Sequence, residues 1–225
     1  MFLLENPFAK NRLKASFENR IVICLLSGEV IRFSKANDRT VGLFSTLAGG
    51  GGYGASEGSF MGNYAAGQGP TNALDNNLAT KYTSYGMFAA GTATFNSGDN
   101  TGFYTVLSRG SVILTAFSFG TGNGGINTDP MLVTIEGSAK TTDADLNKGA
   151  SWTLLYTGTT GLTVNPGRLT KAQCISVNNT RLFQSYRVLI TRKRGIADSV
   201  QYSEMELLGL LSLPSEYCFR HMSFA

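Results

Sequence analysis

Between Asn72 and Tyr82 the chain reads Asn72-Ala73-Leu74-Asp75-Asn76-Asn77-Leu78-Ala79-Thr80-Lys81-Tyr82. Asp75 to Thr80 crowds carboxylate, carboxamide and hydroxyl oxygens into one short stretch. Hard cations such as Ca²⁺ take about six to eight oxygen ligands, carbonyls and hydroxyls among them. Asp75, Asn77 and Thr80, with main-chain carbonyls, supply most of such a shell, and an acid from elsewhere in the chain would complete it. The same residues also make an ordinary Asx turn in which Asn76 takes the left-handed backbone region. On spacing alone the turn is the simpler reading.

Catalytic constellations are sparse. The chain has one histidine, His221, in a segment from Glu216 to Ala225 that reads as a tail. Ser-His-Asp or Cys-His chemistry would have to use it, and so would a zinc site built on His and Cys. Gly120 to Gly125 matches G-x-G-x-x-G by letter. A dinucleotide fingerprint needs a helix next, whereas Ile126-Asn127-Thr128-Asp129-Pro130 leads into another strand pattern. A glycosidase needs two carboxylates flanking the cleaved bond. No such pair stands out, and Asp143 and Asp145 read as turn residues. The chain is therefore expected not to be an enzyme.

The elements that must position these residues are strands. Met131, Val133 and Ile135 alternate with Leu132, Thr134 and Glu136. Tyr186, Val188 and Ile190 alternate with Arg187, Leu189 and Thr191. Each run is the period-2 signature of a strand with two different faces. Trp152, Leu154 and Tyr156 form a third such run, with Trp152 placed in the core. Ser111 to Phe119 is apolar on both faces and reads as a central strand, and Val200 to Leu208 closes the set. Loops rich in Gly, Asn, Asp and Pro separate these runs, and no helix longer than a turn or two is expected. The pattern points to an all-β protein, an antiparallel β-sandwich or jelly roll.

Residues 48–69 are dominated by glycine and read as a long functional loop or a linker. The resulting division is 1–47 as an N-terminal arm or extra strands, with a hairpin around Ser27-Gly28; 48–210 as the sandwich; and 211–225 as a tail. The 225 residues are 42% hydrophobic, enough for a real core, and only 15% charged, with 27 Gly and 5 Pro. The net charge of +4 is mild. Its basic residues gather at Lys10, Arg12, Lys14 and Arg20 and at Arg192-Lys193-Arg194, both read as solvated surface rather than as a nucleic-acid footprint. Cys24, Cys174 and Cys218 are far apart with no CxxC pair, so no disulfide framework is indicated. Cys174 reads as a free thiol within a strand. No run approaches the ~18 apolar residues of a membrane span, and Met-Phe-Leu-Leu-Glu is a poor signal-peptide start.

Taken in order, several segments resemble one family. Asn72-Ala73-Leu74-Asp75-Asn76-Asn77 with Thr80-Lys81-Tyr82 is similar to the "A-x-D-G-N-x-x-T-K-W" segment of the discoidin-like, galactose-binding-like superfamily. That group includes coagulation-factor C-type domains and family 32 carbohydrate-binding modules. Asp129-Pro130 and Val133 to Ser138 resemble its "D-P-x-x-x-x-L-x-G-S". Trp152 to Tyr156 and Tyr186-Arg187-Val188 follow, and Val200 to Gly209 resembles "V-Q-I-A-E-I-E-L-x-G". The resemblance covers about residues 70–210 and specifies the fold more than the ligand.

The resemblance implies a structural Ca²⁺ site of Asp75, Asn77 and Thr80 with Glu204 as the acid from the last strand, although Asn76 stands where the family has glycine. It implies a non-catalytic, lectin-like function with glycans or glycoproteins as partners, at a cell exterior or surface. The available ligand-binding candidates are Tyr82, Tyr85, Phe88, Asn123, Asn127 and Arg192. An alternative is an adhesive or structural module that meets protein partners in a cell surface, matrix or virion. Contact with a membrane surface, resting on Ile196 beside Arg192 to Arg194, ranks below both.

Overall fold

The computed structural model describes residues 29–211. Cys24, Cys218, His221, the basic positions from Lys10 to Arg20 and the Ser27-Gly28 turn lie outside these residues. The strands, in chain order, are β1 Val30–Arg32, β2 Arg39–Phe44, β3 Tyr53–Gly54, β4 Ser56–Glu57, β5 Asn63–Tyr64, β6 Tyr82–Ser84 and β7 Thr101–Val106. After these come β8 Val112–Gly120, β9 Pro130–Ser138, β10 Thr153–Thr159, β11 Ile175–Ser176, β12 Ser185–Lys193, β13 Val200–Tyr202 and β14 Glu204–Leu211. One helical turn, α1, spans Asp143–Leu146 and is capped by the Thr142 hydroxyl, which accepts from the Asp145 N–H.

Two sheets face each other. One runs β1-β14-β8-β11, and the other runs β10-β9-β12-β7-β2-β3. All their pairings are antiparallel. The expected all-β sandwich is what the chain adopts. Between the sheets lie Val112, Leu114, Phe117, Phe119, Met205 and Leu207 from one side and Phe103, Val133, Ile135, Tyr186, Val188 and Ile190 from the other. Within the segment read as an arm or extra strands, β1 and β2 are strands of the sandwich: Ile31 and Phe33 are buried in the main core, and β2 pairs with β7 from Arg39 to Leu43. A third, small sheet runs β13-β6-β5-β4. The chain passes from it into β14 at Ser203, so a single apolar run serves two sheets.

Bulges in β8 and β10 reset the alternation there. Along β8 the inward residues change from Val112 and Leu114 to Phe117 and Phe119. The extra residue is Thr115, since Leu208 pairs with Ala116 and Gly209 with Leu114. Along β10, Leu154 pairs with Glu136 and Tyr156 with Ile135, leaving Leu155 as the extra residue. A bulge puts two residues against one and inverts the phase beyond it. The run Trp152, Leu154, Tyr156 therefore does not share one face: Leu154 is half exposed, and Trp152 joins a separate cluster.

That second cluster covers the outer face of the larger sheet with Leu43, Tyr104, Leu146, Trp152 and Leu189. Beside it lies an ion pair with both side chains fully buried, Arg187 Nε to Glu136 Oε2 at 2.7 Å. Gly49 N donates to Glu136 Oε1 at 2.8 Å, Arg187 Nη1 donates to Gly50 O at 3.0 Å, and the guanidinium lies 4.6 Å from the Trp152 ring centre. The glycine run at 49–52 is thus neither linker nor free loop. It seals a buried charge pair, and Gly149 lets it approach, since a Cβ there would stand 2.0 Å from Gly49 O.

Candidate functional site

The carboxyl-terminal end of β12 and the amino-terminal end of β9 meet at Lys193 and Pro130. The turn Thr94 to Gly98 folds over this end. Thr94 Oγ1 accepts from the N–H groups of Asn96 and Ser97 at 3.1 and 3.0 Å, and Ser97 Oγ donates to Thr92 O at 2.6 Å. Gly98 closes the turn with φ +83°, and a Cβ there would meet Val200 N at 2.3 Å. Lys193 is almost fully buried beneath the turn. Its ammonium donates to Thr94 O and Phe95 O at 2.7 Å each, and its N–H donates to Asp99 Oδ1 at 3.0 Å. Burial pushes the Lys193 pKa down, against Asp99 and Asp198, which raise it.

The result is a cavity of about 270 Å³ lined by Phe95, Asn96, Arg192, Lys193 and Arg194. Phe95 is 66% exposed. Arg192 is exposed and makes no hydrogen bond or ion pair among the described residues, whereas Arg194 is drawn inward to Thr163 O and Leu162 O. The expectation of three solvated basic residues at 192–194 thus holds only for Arg192. An aromatic face with a free guanidinium and a carboxamide beside it can stack on an apolar ring face and hydrogen-bond hydroxyls at its rim.

Of the six ligand-binding candidates, Arg192 is the one that lines this cavity. Tyr82 is a correction: its ring is fully buried between Tyr64 and Tyr202, and its hydroxyl donates to Gly102 O at 3.0 Å. Asn127 is exposed but tied down, its side-chain NH₂ donating to Ile196 O at 3.3 Å and its main-chain carbonyl accepting from Gly195 N at 3.0 Å. Asn123 is exposed on the same loop, after Gly120, where a 3-10 turn and not a dinucleotide-binding helix follows. Tyr85 and Phe88 are half-buried and do not line the cavity; their segment is bonded to residues 59–63 and, through Tyr85 O, which accepts from Gly98 N at 3.0 Å, to the turn that covers it. Phe95 and Asn96 were not singled out from the sequence. The signal for them is an aromatic set in a turn-forming run, Thr94-Phe95-Asn96-Ser97-Gly98, with no large apolar side chain at two-residue spacing. Cys174 is exposed and precedes β11 rather than lying within a strand.

The four residues of the expected cation site do come together. Asn77 N donates to Glu204 Oε1 at 2.9 Å and to Asp75 Oδ1 at 3.0 Å, and Thr80 Oγ1 donates to both Asp75 oxygens at 3.0 and 2.8 Å. Asn76 takes φ +58°, as a glycine would in its place. Glu204 is buried; that burial, together with neighbouring Asp75 and against the Asn77 N–H, pushes its pKa up to about 7. The Lys35 ammonium stands 3.0 Å from Asp75 Oδ2. The Asn77 carboxamide oxygen accepts from Ala79 N, and that of Asn76 from Arg32. Among the described residues no group of three or more acids, His or Cys is placed to hold a metal ion. The donor set is thus largely engaged by the protein's own N–H and O–H groups and by an ammonium, which does not fit a six- to eight-oxygen Ca²⁺ shell. From this loop, Lys81 Nζ to Gln201 Oε1 and Gln201 Nε2 to Ser199 Oγ lead along β13 to the Thr94–Ala197 bridge beside the cavity.

No family model matches the sequence, and no curated protein matches it. Solved structures do. A family 32 carbohydrate-binding module of C. perfringens NanJ, in complex with galactose, aligns at TM-score 0.51 and 8% identity, over 80% of this chain and 99% of that one. The first two family 32 modules of Clostridium perfringens ZmpB align at TM-score 0.51 and 15% identity, over 79% of this chain and 35% of that one. The latter structure in complex with GalNAc aligns at TM-score 0.50 and 13% identity. These likenesses show that the chain shares the β-sandwich fold of those modules.

Proposed function

We propose that the chain is a non-catalytic carbohydrate-binding module whose sugar site is the cavity between Phe95, Asn96 and Arg192. The observation that carries this is Phe95, a large apolar ring left 66% exposed beside a guanidinium with no partner among the described residues, both lining a cavity of about 270 Å³. Ligand pockets of drug-sized molecules run roughly 300–1,000 Å³, so this one suits a single sugar ring. Similar folds hold galactose and GalNAc in their solved complexes, which makes glycans or glycoproteins the partners to try first. On this reading the chain works at a cell exterior or surface. No helix among the described residues is long and apolar enough to cross a membrane.

A glycan array with the wild-type chain, Phe95→Ala and Arg192→Ala tests the site. Binding to a defined sugar class by the wild type, weakened at least tenfold (about 1.4 kcal/mol) in each variant, is the expected outcome. Binding that both variants retain would move the site elsewhere. A blank array from folded protein would shift the reading to an adhesive module. That second reading has its own observation: exposed Phe60, Met61 and Met87 stand on two loops joined by Gly62 N to Gly86 O at 2.8 Å and Ala90 N to Ser59 O at 2.9 Å.

A further inference from the structure

We propose that the ammonium of Lys35 is the resident cation of the Asp75–Glu204 loop, so that this chain holds the loop without Ca²⁺. Lys35 follows β1 and is anchored by its own N–H, which donates to Leu74 O at 2.9 Å, one residue before Asp75. That anchor aims its side chain at the loop, where Nζ meets Asp75 Oδ2 at 3.0 Å. The carboxylate it meets is only 4% exposed, and a buried carboxylate facing a second one, Glu204, requires a positive charge nearby. Arg32, from β1 itself, adds a second cation at the rim, bonded to Asn76 and Glu206. Lys171 reaches Glu206 at 3.5 Å from the other side.

The rest of the loop is already closed. Both Asp75 oxygens, one Glu204 oxygen and the Asn77 carboxamide oxygen accept from protein donors. An entering Ca²⁺ would have to displace Lys35 and strip these donors, with only two acids to repay it. The substituted glycine position agrees: Asn76 gives Arg32 an acceptor that glycine lacks. Lys35 lies N-terminal to the segments that carry the family resemblance, which is why the motif alone suggests a metal and the folded chain supplies an amine.

The test is melting of the full chain in calcium and in chelator, with calorimetric titration of Ca²⁺ into chelator-stripped protein. The wild type is expected to melt at the same temperature in both and to give no saturable heat. Lys35→Met, which keeps the aliphatic stem, is expected to melt roughly 2–4 °C lower, and Lys35→Arg to stay close to the wild type. A wild-type melting temperature raised by calcium, or saturable Ca²⁺ binding, overturns the proposal. So does a Lys35→Met chain that melts like the wild type. Neither readout involves a sugar, so the outcome is independent of the glycan reading.

Discussion

Glu204 is a carboxylate carried almost out of water by the first residue of β14. Its pKa of about 7 has burial as the main cause, and the sign of the consequence follows. A carboxyl whose folded pKa lies above its unfolded value binds its proton more tightly in the folded state. Between the ordinary value of 4.5 and about 7, folding therefore favours the protonated form, and the contribution of Glu204 to stability falls as pH rises through that window. Glu204→Gln keeps an acceptor for Asn77 N and removes the ionisation. The wild-type melting temperature is expected to drop relative to this variant as pH rises from 4.5 to about 7, and to run parallel to it at more acid pH. A difference between the two that is constant across the range would mean that Glu204 titrates normally. At this scale the sequence was legible for the loop oxygens, because Asp75, Asn77 and Thr80 are neighbours in the chain. It was not legible for Lys35, whose position depends on how β1 docks. Nor was it legible for Tyr82, whose ring is an aromatic that the alternation alone could place in either phase.

At the scale of elements, strands were readable wherever alternation ran unbroken, as in β12 from Ser185 to Ile190 and the part of β9 paired with it. They misled wherever a bulge intervened. Thr115 and Leu155 carry no signature in composition, since a bulge is defined by the partner strand and not by its own residues. The glycines at 49–52 misled for a related reason: their role is set by Glu136 and Arg187, which reach them from two neighbouring strands. This pair gives a sharp prediction. Removing one member of a buried ion pair leaves the other uncompensated and costs about 3–5 kcal/mol, whereas replacing both by apolar residues of similar volume is often nearly neutral. Arg187→Met should therefore destabilise the chain strongly, because Glu136 is left facing Gly49 N alone and Gly50 O loses its donor. The double variant Glu136→Leu with Arg187→Met should recover most of that loss in urea denaturation. If the double variant is no better than the single one, the pair is acting as a hydrogen-bonding clamp on the 49–52 segment, and its charge complementarity is secondary.

For the whole molecule the question is where the folding unit begins. The glycine-rich run from residue 48 looks like a boundary by composition, β1 falls in the stretch read as a hairpin around Ser27-Gly28, and β2 is hard to read because Gly42 interrupts it. Their places in the sheets argue otherwise. β2 sits between β7 and β3, and β1 pairs along β14. A chain that starts at residue 48 would leave β7 as an open edge, a hazard for aggregation. It would also lose the buried side chains of Ile31, Phe33 and Leu43. Each such side chain contributes roughly 1.5–3 kcal/mol, against a net stability of about 5–15 kcal/mol for an ordinary domain, and the unpaired backbone of β7 adds to the loss. Lys35 would go as well, leaving Asp75 and Glu204 to face each other. Residues 48–225 expressed alone are therefore expected to give no cooperative thermal transition and to aggregate. A soluble fragment melting cooperatively near the temperature of the full chain would show that the sandwich closes without its first two strands, and would return Val30 to Phe44 to the status of an appendage.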